Sequence, residues 1–308
     1  MEDKMNYDSK RLQQKSSLRF HHTTTIIFIN SQLLKVNNGW FMTKIIFLGT
    51  AGNTAVVSKQ LRGSGGIVIQ VEDLQFHLDP GPGALVKARE YGINPHHTTA
   101  ILVSHNHINH CNDLNVLIDA MTHGGIERRG LILGSKSVLQ PQQDSHPVIS
   151  KYHQQLVERI IPLEKNHKVG IELIEINAIP TEHHDSTAVG FKIFCPKLTI
   201  SYTGDTGVTD ELLESLTGSD LLILNVPYPS KKEVSGNLTT DDAIKIVSHV
   251  RPKLAILTHF GSEMLKADPL MEAREVQRIT GVQTIAAQDG LVISPSGFGH
   301  PKSPIHGY

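Results

Sequence analysis

Ser104-His105-Asn106-His107-Ile108-Asn109-His110 is the stretch on which the reading of this chain turns. Its histidines follow an apolar run, Thr99-Ala100-Ile101-Leu102-Val103, that reads as a buried strand. They precede Asp113 to Met121, where Leu114, Leu117, Ile118 and Met121 recur at helical spacing. The histidines therefore sit on a loop between a strand's C-terminal end and a helix. Side chains two apart on an extended backbone share a face. If that geometry persists through the loop, His105 and His107 point the same way and a turn brings His110 beside them. Neutral imidazole is the commonest protein metal ligand, and such a cluster can hold zinc, iron or manganese. Three surface histidines on a polar loop are the plain alternative, and the rest of the chain has to decide between the two.

Composition narrows the field. The 308 residues carry 39% hydrophobic side chains, which suits a globular chain with a sizeable core. A formal net charge of -1 gives no electrostatic footprint for nucleic acid or an anionic membrane. Two cysteines, Cys111 and Cys195, are too few for a disulfide framework or a four-cysteine zinc site. Each reads as a small, partly buried side chain in a reducing compartment, although Cys111 directly follows His110 and its thiolate could reach a metal. No stretch reaches the ~18 apolar residues of a membrane span. Thr25-Ile26-Ile27-Phe28-Ile29 is too short for a signal core, so the chain reads as cytoplasmic.

Residues 1–41 lack sustained periodicity and read as a disordered extension or a leader ahead of a true start at Met42. The folded domain is expected over 42–295, with a flexible tail over 296–308. Strands are expected at Lys44–Gly49, in a hairpin of Gly66–Val71 with Leu74–Asp79, and at Leu131–Gly134, Ile171–Ile176, Val189–Phe194, Leu198–Tyr202, Asp220–Asn225 and Lys253–Thr258. Short strands over Gln283–Ala287 and Leu291–Ile293 close the domain. Helices are expected over Ala84–Tyr91, Tyr152–Ile161 and Thr240–Val250, the last capped by Thr239, and around Leu270, Ala273 and Val276. Gly49–Thr54 lacks the lysine and spacing of a phosphate loop and reads as a turn that lines a site. Strands alternate with helices and hairpins, which predicts an α/β sandwich of mixed sheets and not a doubly wound sheet.

Four strand ends deliver metal-type side chains: His105/His107/His110, His183/His184, Asp205 and His259. Such residues converge when their strands share a rim. Either histidine of His183-His184 could be a surface residue, Asp205 a helix cap and His259 a core histidine.

At this point the chain resembles the metallo-β-lactamase-fold hydrolases, from about Met42 to Ile293. The H-x-H-x-D-H motif aligns with His105 to His110. Asp79 is similar to the family's strand-end aspartate, His183 or His184 to its lone later histidine, Asp205 to its bridging aspartate and His259 to its final histidine. Ribonuclease Z and phosphodiesterase-type members look most alike, through Asp185-Ser186-Thr187-Ala188-Val189-Gly190-Phe191 and Leu257-Thr258-His259-Phe260-Gly261. No long inserted arm of the kind ribonuclease Z uses to grip transfer RNA is visible. The resemblance implies a four-layer αβ/βα sandwich of two mixed β-sheets with two metal sites. His105, His107 and His183 or His184 would form one. His110, His259 and the motif's aspartate would form the other, with Asp205 bridging and Asp79 holding a ligand histidine from behind.

One departure stands out. The motif's aspartate, which often also orients the nucleophilic water, is Asn109 here. A neutral amide is a weaker ligand for Zn²⁺, so the second site loses a negative charge and affinity. Asp113 is a nearby substitute if the helix start is displaced. Thr203 and Thr206 could fix Asp205. The expected activity is metal-dependent hydrolysis of a small-molecule or nucleotide-type ester or phosphodiester by hydroxide generated on one or two ions, Zn²⁺ foremost, with Mn²⁺ or Fe²⁺ as alternatives. A non-catalytic or mononuclear binding protein on the same fold is the first alternative. An RNA-processing nuclease of the ribonuclease Z type is the second. No membrane partner is expected, and a homodimer stays open.

Overall fold

The structure, a computed structural model, describes residues 26–29, 42–143, 145–232 and 234–295. In chain order its strands are β1 (Ile26–Ile29), β2 (Thr43–Gly49), β3 (Ser64–Val71), β4 (Leu74–Leu78), β5 (Ala100–Val103), β6 (Leu131–Ser135), β7 (Arg159–Leu163), β8 (Lys168–Ile171), β9 (Ile174–Pro180), β10 (Val189–Cys195), β11 (Leu198–Tyr202), β12 (Leu221–Asn225), β13 (Leu254–Thr258), β14 (Thr284–Ala286) and β15 (Val292–Ile293). One sheet has seven strands, ordered β15-β2-β3-β4-β5-β6-β7, and the other eight, ordered β1-β8-β9-β10-β11-β12-β13-β14. Both are mixed. β4 to β7 run parallel in the first, as do β11 to β14 in the second, beside antiparallel hairpins.

Residue alternation builds the layers. Ile45, Phe47, Phe76, Leu78 and Leu102 on the inner face of the smaller sheet meet Ile176, Phe191, Ile193, Ile200 and Ile223 of the larger. Residues of opposite parity face outward and take the helices. Ile101, Val103 and Ile132 pack under α4 (Leu114–Thr122). Leu222, Leu224, Ala255 and Leu257 pack under α8 (Thr240–Val250) and α10 (Pro269–Thr280). This is the four-layer sandwich of two mixed sheets. Thr239 caps α8 reciprocally: its hydroxyl accepts from Asp242 N–H, and the Asp242 carboxylate accepts from Thr239 N–H.

Two expectations are corrected. The helix starting at Lys151 ends at Leu156, and Arg159–Leu163 is the strand β7. Val157, Ile160 and Ile161 are β-branched and favour an extended backbone, and Pro162, which has no N–H, is tolerated because β7 lies at the edge of its sheet. The single strand expected over Ile171–Ile176 is a hairpin joint. β8 pairs antiparallel with β9, and Glu172 turns the chain at φ 54°. Apolar alternation runs through so tight a turn without interruption, which hides it. The 296–308 tail and most of the 1–41 leader lie outside the described residues. Within that leader, Ile26–Ile29 pairs with β8 as a parallel edge strand.

Candidate metal centre

The parallel strands bring the chemistry to one rim. Asp79 follows β4, His105 follows β5, His183 follows β9, Asp205 follows β11, and His259 follows β13. Val189 N–H donates to the Ser104 carbonyl at 3.0 Å, which stitches the two sheets together at this rim. Asp79 and His259 both adopt left-handed backbone, at φ 48° and 63°. Such conformations cost about 1–3 kcal/mol each for non-glycine residues and mark positions the surroundings over-determine. Gly52 supplies the close approach beside His259, since a Cβ there would lie 2.2 Å from the His259 carbonyl oxygen.

Four side chains form a first group: His105, His107, His183 and Asp205. His105 Nε2 and His183 Nε2 lie 3.0 and 3.2 Å from His107 Nδ1. The outward nitrogens decide the tautomers. His183 Nδ1 faces the Gly236 carbonyl at 2.6 Å, so it must donate there. The Ser104 hydroxyl donates to Asp79 Oδ2, so His105 Nδ1, 2.9 Å from Ser104 Oγ, donates to that hydroxyl oxygen in turn. With their Nδ1 atoms donating outward, His105 and His183 aim Nε2 inward, and one proton on His107 Nδ1 can satisfy only one of them. Burial holds the His105 imidazole well below its usual pKa, reinforced by charge on His110, and burial with His183 lowers that of His107. Neutral imidazoles with converging lone pairs fit a cation.

His110, Asp205 and His259 form a second group, sharing Asp205 with the first. Asp205 Oδ2 lies 3.8 Å from His105 Nε2 and 3.3 Å from His110 Nε2, and Oδ1 lies 3.2 Å from His259 Nε2. His110 Nδ1 donates to Asp79 Oδ2 at 2.9 Å, while its buried Nε2 makes no hydrogen bond. Burial disfavours a charge on His110, but Asp205 and Asp79 outweigh it and push its pKa up to about 10. Despite burial, His259 and His110 hold the Asp205 carboxyl well below its ordinary range. This corner favours positive charge beside an orphaned ring nitrogen, which is what a divalent cation needs.

The expected second-row carboxylate, Asp79, accepts from Ser104 N–H and Oγ–H, each at 2.6 Å, as well as from His110. Of the histidine pair, His183 joins the first group. His184 is exposed and stands beside it, with ring centroids 5.4 Å apart. Asn109 donates its Nδ2–H to the Gly52 carbonyl at 2.7 Å. Cys111 is the small buried side chain expected, and the lesser alternatives for Cys111, Asp113 and the threonines do not hold. Cys111 is a buried thiol donating to the His107 and Asn106 carbonyls, its pKa pushed up to about 12 by burial. Asp113 does not replace the motif aspartate, because its carboxylate accepts from Asn112 and Leu85 N–H at the start of α4. The Thr203 and Thr206 hydroxyls donate to the Gly204 and Gly207 carbonyls, and it is Asn225 that donates to Asp205 Oδ1, at 2.8 Å.

Sequence reading passed over Tyr202, Asn225 and Asp185. Asn225 had a signal: one amide ending the apolar run Leu221–Leu224. Asp185 accepts from Asn106 N–H and the Ser137 hydroxyl, pinning the loop between His105 and His107. A cavity of about 260 Å³ opens beside both groups and is walled by Asn53, Thr54, Ile108, His184, Tyr228 and Asn237. A third set, His96, His123 and Glu127, lies at the surface, where Arg129 already donates to His96 Nε2 at 3.2 Å.

Comparison with known proteins identifies the family. The family described as "Beta-lactamase superfamily domain" matches residues 75–260. The uncharacterized protein MJ1374 of Methanocaldococcus jannaschii is 34% identical over 252 residues, 81% of this chain and 94% of its own. Ribonuclease Z of Sulfolobus acidocaldarius is 24% identical over 278 residues, 76% of this chain and 94% of its own. The metallo-β-lactamase fold protein YhfI of Bacillus subtilis superposes with a TM-score of 0.69 at 20% identity, over 82% of this chain and 99% of that one. A diphosphatase from the PhnP family superposes with a TM-score of 0.60 at 19% identity, over 82% and 97%. At these identities the structural matches bear on the fold alone. With a domain match spanning more than half its length and a relative at 34% identity that it covers almost entirely, the chain belongs to the metallo-β-lactamase superfamily.

Proposed function

We propose that the chain is a metal-dependent hydrolase of a phosphodiester or similar ester, with one strong and one weakened cation site. The observation that carries this is the convergence of His105 Nε2, His107 Nδ1 and His183 Nε2, with the outer nitrogens of His105 and His183 tied off as donors. A divalent cation in such a site lowers the pKa of a water it coordinates from 15.7 toward about 7 and polarises the bond to be cleaved. Asp205, common to both groups, would help hold a cation in either. Asp79 accepts from His110 Nδ1, which leaves Nε2 as the nitrogen that would face a cation. Asn109 offers the second group no charge, which supports weaker binding there.

The cavity argues for the substrate class. Among the described residues, no lysine or arginine lines it. A diester carries one negative charge and can be met by the cations and by the polar tips of His184 and Tyr228. A monoester dianion demands a further cationic clamp that the walls do not provide. The name of one relative, ribonuclease Z, is in keeping with phosphodiester chemistry. The test is hydrolysis of bis(p-nitrophenyl) phosphate against p-nitrophenyl phosphate with Zn²⁺ or Mn²⁺. The diester is expected to turn over, and Asp205→Asn to cut the rate at least about a hundredfold. No turnover of either compound by metal-loaded protein contradicts the proposal and favours a binding protein on the same fold.

A further inference from the structure

Tyr202 and Asn225 end the adjacent parallel strands β11 and β12, and both are almost fully buried, at 3% and 1% exposure. Neither lines the 260 Å³ cavity; both border a small pocket on the core side that Asp79, His110 and His259 also line. Together they close a ring. His110 Nδ1 donates to Asp79 Oδ2 at 2.9 Å, and Tyr202 donates its hydroxyl to that same oxygen at 2.6 Å. Asn225 Nδ2 donates to the Tyr202 oxygen at 3.0 Å and to Asp205 Oδ1 at 2.8 Å. Asp205 Oδ2 then returns to within 3.3 Å of His110 Nε2.

The direction of every bond in this ring is fixed by chemistry. A carboxylate only accepts, so the Tyr202 proton must go to Asp79. The tyrosine oxygen then has only lone pairs left, so Asn225 must present its amide nitrogen, whose two protons match two acceptors. Turned the other way, the amide oxygen would face a carboxylate and a spent hydroxyl, an arrangement too costly to bury. Asn225 therefore fixes the rotation of the Asp205 carboxylate: Oδ1 is held at the β12 end, and Oδ2 is left facing His105 and His110.

We infer that Tyr202 and Asn225 are positioning residues, a buried strut that locks Asp205 to the Asp79–His110 pair and so sets the two cation groups as one unit. This rests on the metal-centre reading above. Neither residue touches the substrate cavity, so their loss acts on metal binding and turnover number and leaves KM in place.

The test uses the full chain loaded with cobalt(II), whose visible spectrum reports ligand geometry, with Tyr202→Phe and Asn225→Ser as variants. Tyr202→Phe keeps the ring volume and removes only the hydroxyl. If it fails to fold, Asn225→Ser, which keeps a shorter donor, reads the same coupling. Circular dichroism establishes folding, chelator competition gives the affinity of each equivalent, and diester hydrolysis gives kcat and KM. The expected result is a folded variant with the second equivalent bound 10- to 100-fold more weakly, a shifted cobalt band, and a lower kcat at unchanged KM. Variants that lose thermal stability yet keep the wild-type spectrum and affinities overturn the inference, because the strut would then only support the core. A wild-type chain that takes up no cobalt overturns the metal-centre reading and this inference together.

Discussion

Asn109 Nδ2 donates to the Gly52 carbonyl at 2.7 Å, which ties the histidine loop to the turn beneath His259. That bond suits an amide and not a carboxylate. Asn109→Asp is therefore expected to act in two directions. Without metal the protein loses about 1 kcal/mol, as a carboxylate faces a carbonyl. With metal, the restored charge tightens the second equivalent at least tenfold and raises the hydrolytic rate. Zinc titration of both proteins, with thermal melts before and after loading, reads both directions.

Asp79 accepts from Ser104 twice, from Tyr202 and from His110, all buried. Asp79→Asn can keep only some of these bonds. We expect a 10- to 100-fold loss of metal affinity and roughly 3 kcal/mol of destabilisation, since His110 is left without its partner carboxylate. Urea unfolding and chelator competition measure the two effects separately. Wild-type affinity in a folded variant counts against Asp79 as the group that orients His110.

His183 and His184 adjoin in sequence but differ in place. His183→Ala removes a converging nitrogen and should release the tightly bound equivalent, as seen by elemental analysis. His184→Ala should retain the metal and alter only the KM for a diester. Equal metal loss in both variants contradicts the placement.

His77 carries a pH prediction. Burial lowers its pKa to about 4, while its Nε2–H donates to the Gly65 carbonyl at 2.7 Å. Below about pH 6.5 the unfolded chain binds a proton that the folded chain refuses until about pH 4. Folding stability is thus lost as pH falls through that window. From pH 7 to pH 5 the loss from this residue is about 2 kcal/mol. Urea titrations of wild type and His77→Gln at both pH values should differ by that amount, and parallel slopes contradict it.

The strands were largely legible because each buried face repeats at a period of two residues, and the convergence of metal-type residues because they follow apolar runs. Legibility failed where periodicity carries no mark. The turn at Glu172 sits inside an unbroken alternation, and β7 follows a short helix whose last apolar residues mimic a continuing stripe. The choice of His183 over His184 depended on Gly236, a backbone carbonyl 53 positions away that no local pattern announces. Tyr202 and Asn225 were invisible for a similar reason. Their role comes from register: Tyr202 pairs with Ile223, which sets Asn225, two residues further along β12, within reach of the tyrosine hydroxyl.

Metal stoichiometry of the untagged chain tests the central claim most directly. After exhaustive dialysis, elemental analysis should find one equivalent of a divalent transition metal per chain, held by His105, His107, His183 and Asp205. A second equivalent should appear only with micromolar free metal present. A chain that holds no stoichiometric metal even after loading with zinc or manganese contradicts the account.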